Sequence, residues 1–178
     1  MSHRARTLVA VAVLSVPSAL GALSTLSALS VAWAGAPARG CDPGRSLREL
    51  VGPAETLTRL RAAAERADPS VFFDRGQFDL ERLIYLGRAT GSGAYQAAAL
   101  EVTWGQACRM TKRLLIFDAR GGYVGYYGGF DESPSRLEGT VVLFPFKADL
   151  GDRIDLAGGP PKEVRVGGRS FTLEPAPR

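Results

Sequence analysis

Apolar positions along this chain change their spacing twice, and each change predicts a different kind of element. From Pro53 onward, Leu57, Leu60 and Ala64 recur at i, i+3 and i+7, with Glu55, Arg59 and Glu65 mostly off that stripe. This spacing predicts an amphipathic helix that ends near Asp68-Pro69, with Pro53 at the first helical position, where its missing N–H costs nothing. Just upstream, Ser46-Leu47-Arg48-Glu49 matches the S-x-x-E capping box, and Gly52-Pro53 interrupts it at once. That combination predicts one turn of helix or a lead-in to the next. Downstream, Asp79 is placed to cap another helix, with Leu80, Leu83, Ile84 and Gly87 on one face and Phe78 and Leu83 positioned as a hydrophobic staple.

After Gly93 the period shortens to two. Leu100, Val102 and Trp104 alternate with polar neighbours, and Leu114-Leu115-Ile116-Phe117 forms a short apolar run within 109–118, which suits a central strand. Ala119-Arg120-Gly121-Gly122 connects that run to an aromatic strand over 123–130, the second arm of a hairpin. Thr140 to Phe146 reads as a further strand in which Pro145 favours an edge or a bulge. The clearest local signal is Gly167-Gly168 between 162–166 and 169–174. This two-residue loop pairs Val164 with Phe171 on one face and leaves Glu163, Arg165, Ser170, Thr172 and Glu174 on the other. Helices followed by strands predict an α+β fold, with N-terminal helices packed on one face of a mainly antiparallel sheet of about six strands.

The N-terminus changes the domain count. Arg4 and Arg6 precede a run without charge from Thr7 to Ala38, and Ala32-Trp33-Ala34 supplies small residues in an A-x-A pattern. These are the three parts of a secretory signal, cut after Ala34. The uncharged run is also long enough to span a bilayer of roughly 30 Å, so a retained anchor is the alternative. Pro17, Gly21 and the many Ser and Thr residues weigh against it. The division is therefore a signal at 1–34, a Pro/Gly-rich tether at 35–45 and a single domain at 46–178. The mature chain is exported to the periplasm or the extracellular space and makes no membrane contact after cleavage.

Cleavage also removes His3, the one histidine of the 178 residues. Ser-His-Asp and Cys-His nucleophile systems and histidine zinc sites are thereby excluded from the mature domain. The two cysteines, Cys41 and Cys108, are read as a disulfide because the compartment is oxidising. It would close a loop of about 67 residues and stabilise by roughly 4 kcal/mol in the chain-entropy model. Basic residues outnumber acidic ones by 22 to 18, but the arginines are scattered rather than clustered, which argues against nucleic acid. No phosphate-loop or dinucleotide fingerprint is present, so no cofactor and no metal are assigned.

Carboxylate chemistry survives this elimination. Asp131 and Glu132 follow the aromatic strand and Asp118 ends its hairpin partner, and two acids flanking a sugar bond are the minimum for glycoside hydrolysis. Asp149, Asp152 and Asp155 fit no EF-hand spacing and read as solvated turn acids. The most unusual composition is Gly122-Tyr123-Val124-Gly125-Tyr126-Tyr127-Gly128-Gly129-Phe130. On a regular strand Tyr123 and Tyr127 share one face, about 14 Å apart at a rise of roughly 3.4 Å per residue. They would form an aromatic platform rimmed by Asp131, Glu132 and Arg136. The leading functional expectation is a non-catalytic binding or accessory module of the cell envelope, with a glycan, a peptide or a protein as partner. The alternatives are a carboxylate-dependent glycan hydrolase and a membrane-anchored structural protein.

Overall fold

The computed structural model describes residues 47–72, 78–91, 93–104, 107–145 and 152–177. The signal, the tether, Ala32, Ala34 and Cys41 lie outside these residues. Among them the chain is mostly β, with one α-helix, and the expected set of N-terminal helices is not formed.

The strands are β1 (Leu47–Val51), β2 (Phe78–Arg88), β3 (Gln96–Trp104), β4 (Arg109–Phe117), β5 (Tyr123–Gly128), β6 (Arg136–Glu138), β7 (Val141–Leu143), β8 (Arg153–Asp155), β9 (Glu163–Val166), β10 (Arg169–Thr172) and β11 (Glu174–Pro175). The helix α1 runs Ala54–Ala67 with Pro53 as its cap residue. A six-stranded sheet has the order β1-β2-β3-β4-β5-β11, and β6-β7-β8 and β9-β10 form two smaller sheets. All of its pairings are antiparallel except β1 with β2. That parallel pair needs a crossover, and α1 provides it.

Two cores lie on opposite faces of the large sheet. On one face α1 presents Leu57, Leu60 and Ala64, all fully buried, to Leu83, Ala98, Leu100, Leu115 and Phe117, with Val71 and Phe72 beside them. This is the stripe that the helical spacing predicts. On the other face Ala97, Leu114, Ile116 and Tyr127 meet Val142, Phe144, Ile154, Val164, Val166 and Phe171 from the small sheets.

Two expected helical segments are strands, each for its own physical reason, and in β2 that reason is burial on both faces. A strand buried on both faces carries a continuous apolar run rather than an alternating one. Within Leu83-Ile84-Tyr85-Leu86, Leu83 and Tyr85 join the core under α1 while Leu86 packs toward the small sheets. Four consecutive apolar residues satisfy the i, i+3, i+4 template as well as a two-faced strand. Gly87 is not a helix stop but a bulge residue at φ 136, where the β2–β3 register shifts. The capping-box residues Leu47, Arg48 and Glu49 pair with Leu80, Glu81 and Arg82 in the parallel ladder, a non-local contact that local spacing does not encode.

The change from helix to strand places Glu81 under α1. It is only 2% exposed and accepts hydrogen bonds from Arg61 Nε at 2.8 Å and Arg61 Nη2 at 3.3 Å. Arg61 also holds Glu65 at 2.6 Å, one turn along. Burial lowers the Arg61 pKa, and the Glu81 and Glu65 partners outweigh it, leaving the guanidinium above its ordinary value.

The C-terminal hairpin has the expected register. Val164 pairs with Phe171 across Gly167-Gly168, and Val164, Val166 and Phe171 are buried while Glu163, Arg165, Ser170 and Thr172 are exposed.

Candidate functional site

Tyr123 and Tyr127 do not form a shared platform. The β4–β5 ladder pairs Phe117 with Tyr123 and Ile116 with Gly125, so Val124 is skipped. Gly125 takes φ 153 at this bulge, and one extra residue reverses the side-chain alternation beyond it. Tyr123 and Tyr126 therefore join the core under α1, whereas Val124 and Tyr127 join the core under the small sheets. Tyr127 is fully buried, its hydroxyl donates to the Pro161 carbonyl, and burial pushes its pKa up to about 12. The Tyr123 ring packs 5.6 Å from that of Phe117. Its hydroxyl is buried with no hydrogen-bond partner among the described residues. Burial first, then the charge of Asp68, raises its pKa well above the usual phenol.

The remaining candidates separate. Arg136 bonds Glu138 on its own strand at 2.5 Å. Asp118 sits in the β4–β5 turn, where its carboxylate accepts the Arg120 and Gly122 N–H groups, each at 2.8 Å. Asp131 follows the other end of β5, about 17 Å of strand away at the usual rise, so the structure does not bring Asp118 to the pair 131–132. Asp155 is held below the usual carboxylate range, chiefly by the Thr140 hydroxyl at 2.7 Å and then by the Ala157 N–H at 2.9 Å. Among the described residues no group of His, Cys, Asp and Glu side chains is arranged to hold a metal ion. Cys108 is exposed in the β3–β4 turn at φ 49.

Asp131 and Glu132 do meet at one place, beside the β9–β10 hairpin. They rim a cavity of about 290 Å³ whose floor is Phe130, Phe144, Val166 and Phe171, with Asp152 and Gly167 on its far side. The floor is an aromatic cluster: Phe130 lies 4.9 Å from Phe144 and 4.6 Å from Phe171 between ring centroids. Each acid is engaged. Asp131 takes Arg169 Nη1 at 2.9 Å, Glu132 faces Lys112 Nζ at 3.6 Å, and Asp152 accepts the Gly167 N–H at 2.8 Å. Lys112 Nζ also donates to the Asp131 carbonyl.

Phe171 is shared with a second depression. This cleft of about 500 Å³ is polar, and its walls include Thr111, Arg113, Tyr126, Gly128 and Gly129 on one side and Arg169, Ser170, Thr172 and Glu174 on the other. Two guanidinium groups stack on its aromatics, Arg113 at 4.8 Å from the Tyr126 centroid and Arg169 at 5.3 Å from that of Phe171. Arg113 is buried, and its Nη1 donates to the Val71 and Ser70 carbonyls. Arg169 is 56% exposed, lines the cleft and pairs with Asp131 of the first cavity.

The residues that sequence reasoning missed are those of the hairpin. One signal was present: Arg113 interrupts the apolar face of β4 at a position that should be core, and a charge at such a position needs built partners. Another was the hairpin pattern, which places Phe171 inward beside an exposed Ser170 and Thr172. Comparison with known proteins finds no matching family model, no matching curated protein and no matching solved structure.

Proposed function

We propose that the chain is an exported, non-catalytic binding or accessory module of the cell envelope or extracellular space. Its ligand surface is the pair of depressions on either side of the β9–β10 hairpin. The observation that carries this reading is that an aromatic-floored cavity and a polar, arginine-lined cleft share Phe171, with Arg169 of the cleft paired to Asp131 of the cavity. Concave sites with an apolar floor and a few placed polar groups are where ligands are most often held. The mature domain begins at Gly35, and a Cys41–Cys108 disulfide tethers its N-terminus to the β3–β4 turn. No helix among the described residues is long and apolar enough to cross a membrane.

The hydrolase alternative draws on the acids that rim the cavity. General acid–base hydrolysis needs one carboxyl protonated while its partner is ionised. Glu132 and Asp131 are instead engaged by Lys112 and Arg169, which supports binding over hydrolysis.

The test is Arg169→Ala in a ligand-observed NMR screen of peptides and envelope-glycan fragments. Binding should fall with little change in the urea midpoint, because an exposed ion pair contributes only about 0–1 kcal/mol. Unchanged binding by the variant would move the site elsewhere. Turnover of a glycan fragment that Asp131→Asn abolishes would establish the hydrolase instead.

A further inference from the structure

We propose that the polar cleft receives an extended peptide segment, bearing a carboxylate side chain, as an added strand on the outer edge of β10. This rests on the binding reading above and names the ligand class.

Hydrogen-bond parity on the hairpin carries the inference. In an antiparallel pair, residues alternate between positions that bond across the pair and positions whose N–H and C=O point away from it. Leu173 N–H donates to the Lys162 carbonyl at 2.9 Å, which makes 173 and 162 a bonded position. Counting back along the register, Phe171 with Val164 and Arg169 with Val166 are bonded positions, whereas Ser170 and Thr172 are not. The backbone N–H and C=O of Ser170 and Thr172 therefore point away from β9. These two residues are exposed and form a wall of the cleft. Two donors and two acceptors at alternate residues are the pattern that an incoming strand matches, and strand addition uses it for affinity.

The opposite wall suits a backbone. Gly128 and Gly129 close the end of β5 without side chains, and Gly129, at φ 86, has open space where a Cβ would stand. Charge sets the chemistry of the incoming side chain. Arg169 spends Nη1 on Asp131 and retains further N–H donors for a second carboxylate, and Arg113 adds a positive charge deeper in the cleft. Glu174, the first residue of β11, disfavours an acid at that end of the cleft, which fixes the end at which the ligand carboxylate sits. A sugar chain would use the hydroxyls and rings of the cleft but has no use for the alternate N–H and C=O pattern.

The probe is an acetylated, amidated pentapeptide of alternating Thr and Glu, titrated calorimetrically against the purified protein. Three controls accompany it: the same peptide N-methylated at alternate amides, its Lys-for-Glu counterpart, and a chitin-type oligosaccharide. Binding of the Glu peptide should weaken at least about tenfold on N-methylation, since two lost hydrogen bonds account for that factor. It should also weaken with Lys for Glu. Ser170→Pro, which removes an outward N–H, should reduce binding similarly. The N-methylated peptide on the unaltered protein keeps the test decisive if Ser170→Pro fails to fold. Equal binding of the methylated and unmethylated peptides would overturn strand addition. Binding of the oligosaccharide alone would overturn the peptide while leaving a binding module standing, and binding of no probe would overturn both.

Discussion

Replacing Glu81 by Gln tests the layer that sequence spacing misplaced. Glu81 is 2% exposed beneath α1, and its two oxygens take the Nε and Nη2 of Arg61. Arg48 adds a longer contact at 3.8 Å. Removing one partner of a buried pair leaves an uncompensated charge and typically costs about 3–5 kcal/mol. Arg61 keeps Glu65 at 2.6 Å, and its side chain is 15% exposed, so the cost here belongs near about 2–3 kcal/mol. The double variant Arg61→Leu/Glu81→Leu removes both charges and fills the same space between α1 and β2. It should recover most of that loss, because a buried pair is often close to neutral against apolar residues of similar volume. Urea unfolding of Glu81→Gln, of the single variants Arg61→Leu and Glu81→Leu, and of the double variant measures this as a shift in midpoint at unchanged m-value. The reasoning is refuted if Glu81→Gln costs under about 0.5 kcal/mol, the range of an ordinary surface substitution. It is equally refuted if the double variant loses the sum of the singles, because contacting residues should couple.

Three further outcomes follow from the same geometry. Tyr127→Phe leaves the Pro161 carbonyl without its donor and should cost about 1–3 kcal/mol. Because the Tyr127 pKa is raised to about 12, its contribution is complete below pH 10 and is lost as pH rises from 10 toward 12. Two of the five tyrosines, Tyr123 and Tyr127, should accordingly resist ionisation in a spectrophotometric titration of the folded protein. Gly125→Ala forces a side chain into φ 153 and places a Cβ against the Glu174 carbonyl and 3.0 Å from Pro175 Cα. It should cost at least about 1–3 kcal/mol and free β11 from the sheet, read as faster amide exchange at Ala176, which bonds the Val124 carbonyl. Asp155 has a lowered pKa, so the stability it contributes is present above the ordinary carboxylate value and lost as pH falls through the lower folded one. Thr140→Val should flatten that acid limb in pH-dependent unfolding.

What the sequence made legible was local. The stripe of Leu57, Leu60 and Ala64 and the register of Val164 on Phe171 each follow from neighbours within a few residues, and both stand in the structure. The β4–β5 hairpin is local as well. The parts that were not legible depend on distant partners. β1 exists because β2 lies beside it, and β2 is a strand because apolar layers cover both of its faces. Those layers cannot be inferred from Leu83-Ile84-Tyr85-Leu86 itself. The aromatic strand shows how one residue moves a site. Strict alternation puts Tyr123 and Tyr127 together, and the bulge at Val124-Gly125 sends them to opposite cores. Of the acids named beside them, Asp131 and Glu132 meet Phe171 and Arg169 only because the C-terminal hairpin folds back over that end of the sheet. The pairing of Gly167-Gly168 was readable, but its destination was not.

Amide chemical-shift mapping tests the proposed ligand surface most directly. Isotope-labelled protein is titrated with the acidic pentapeptide and, separately, with the oligosaccharide. A binding module of the kind proposed predicts that saturable shifts concentrate at 128–132 and 166–174, with Ser170 and Thr172 among the largest and α1 unchanged. Saturable shifts centred on α1 or β1, with the hairpin silent, would contradict it.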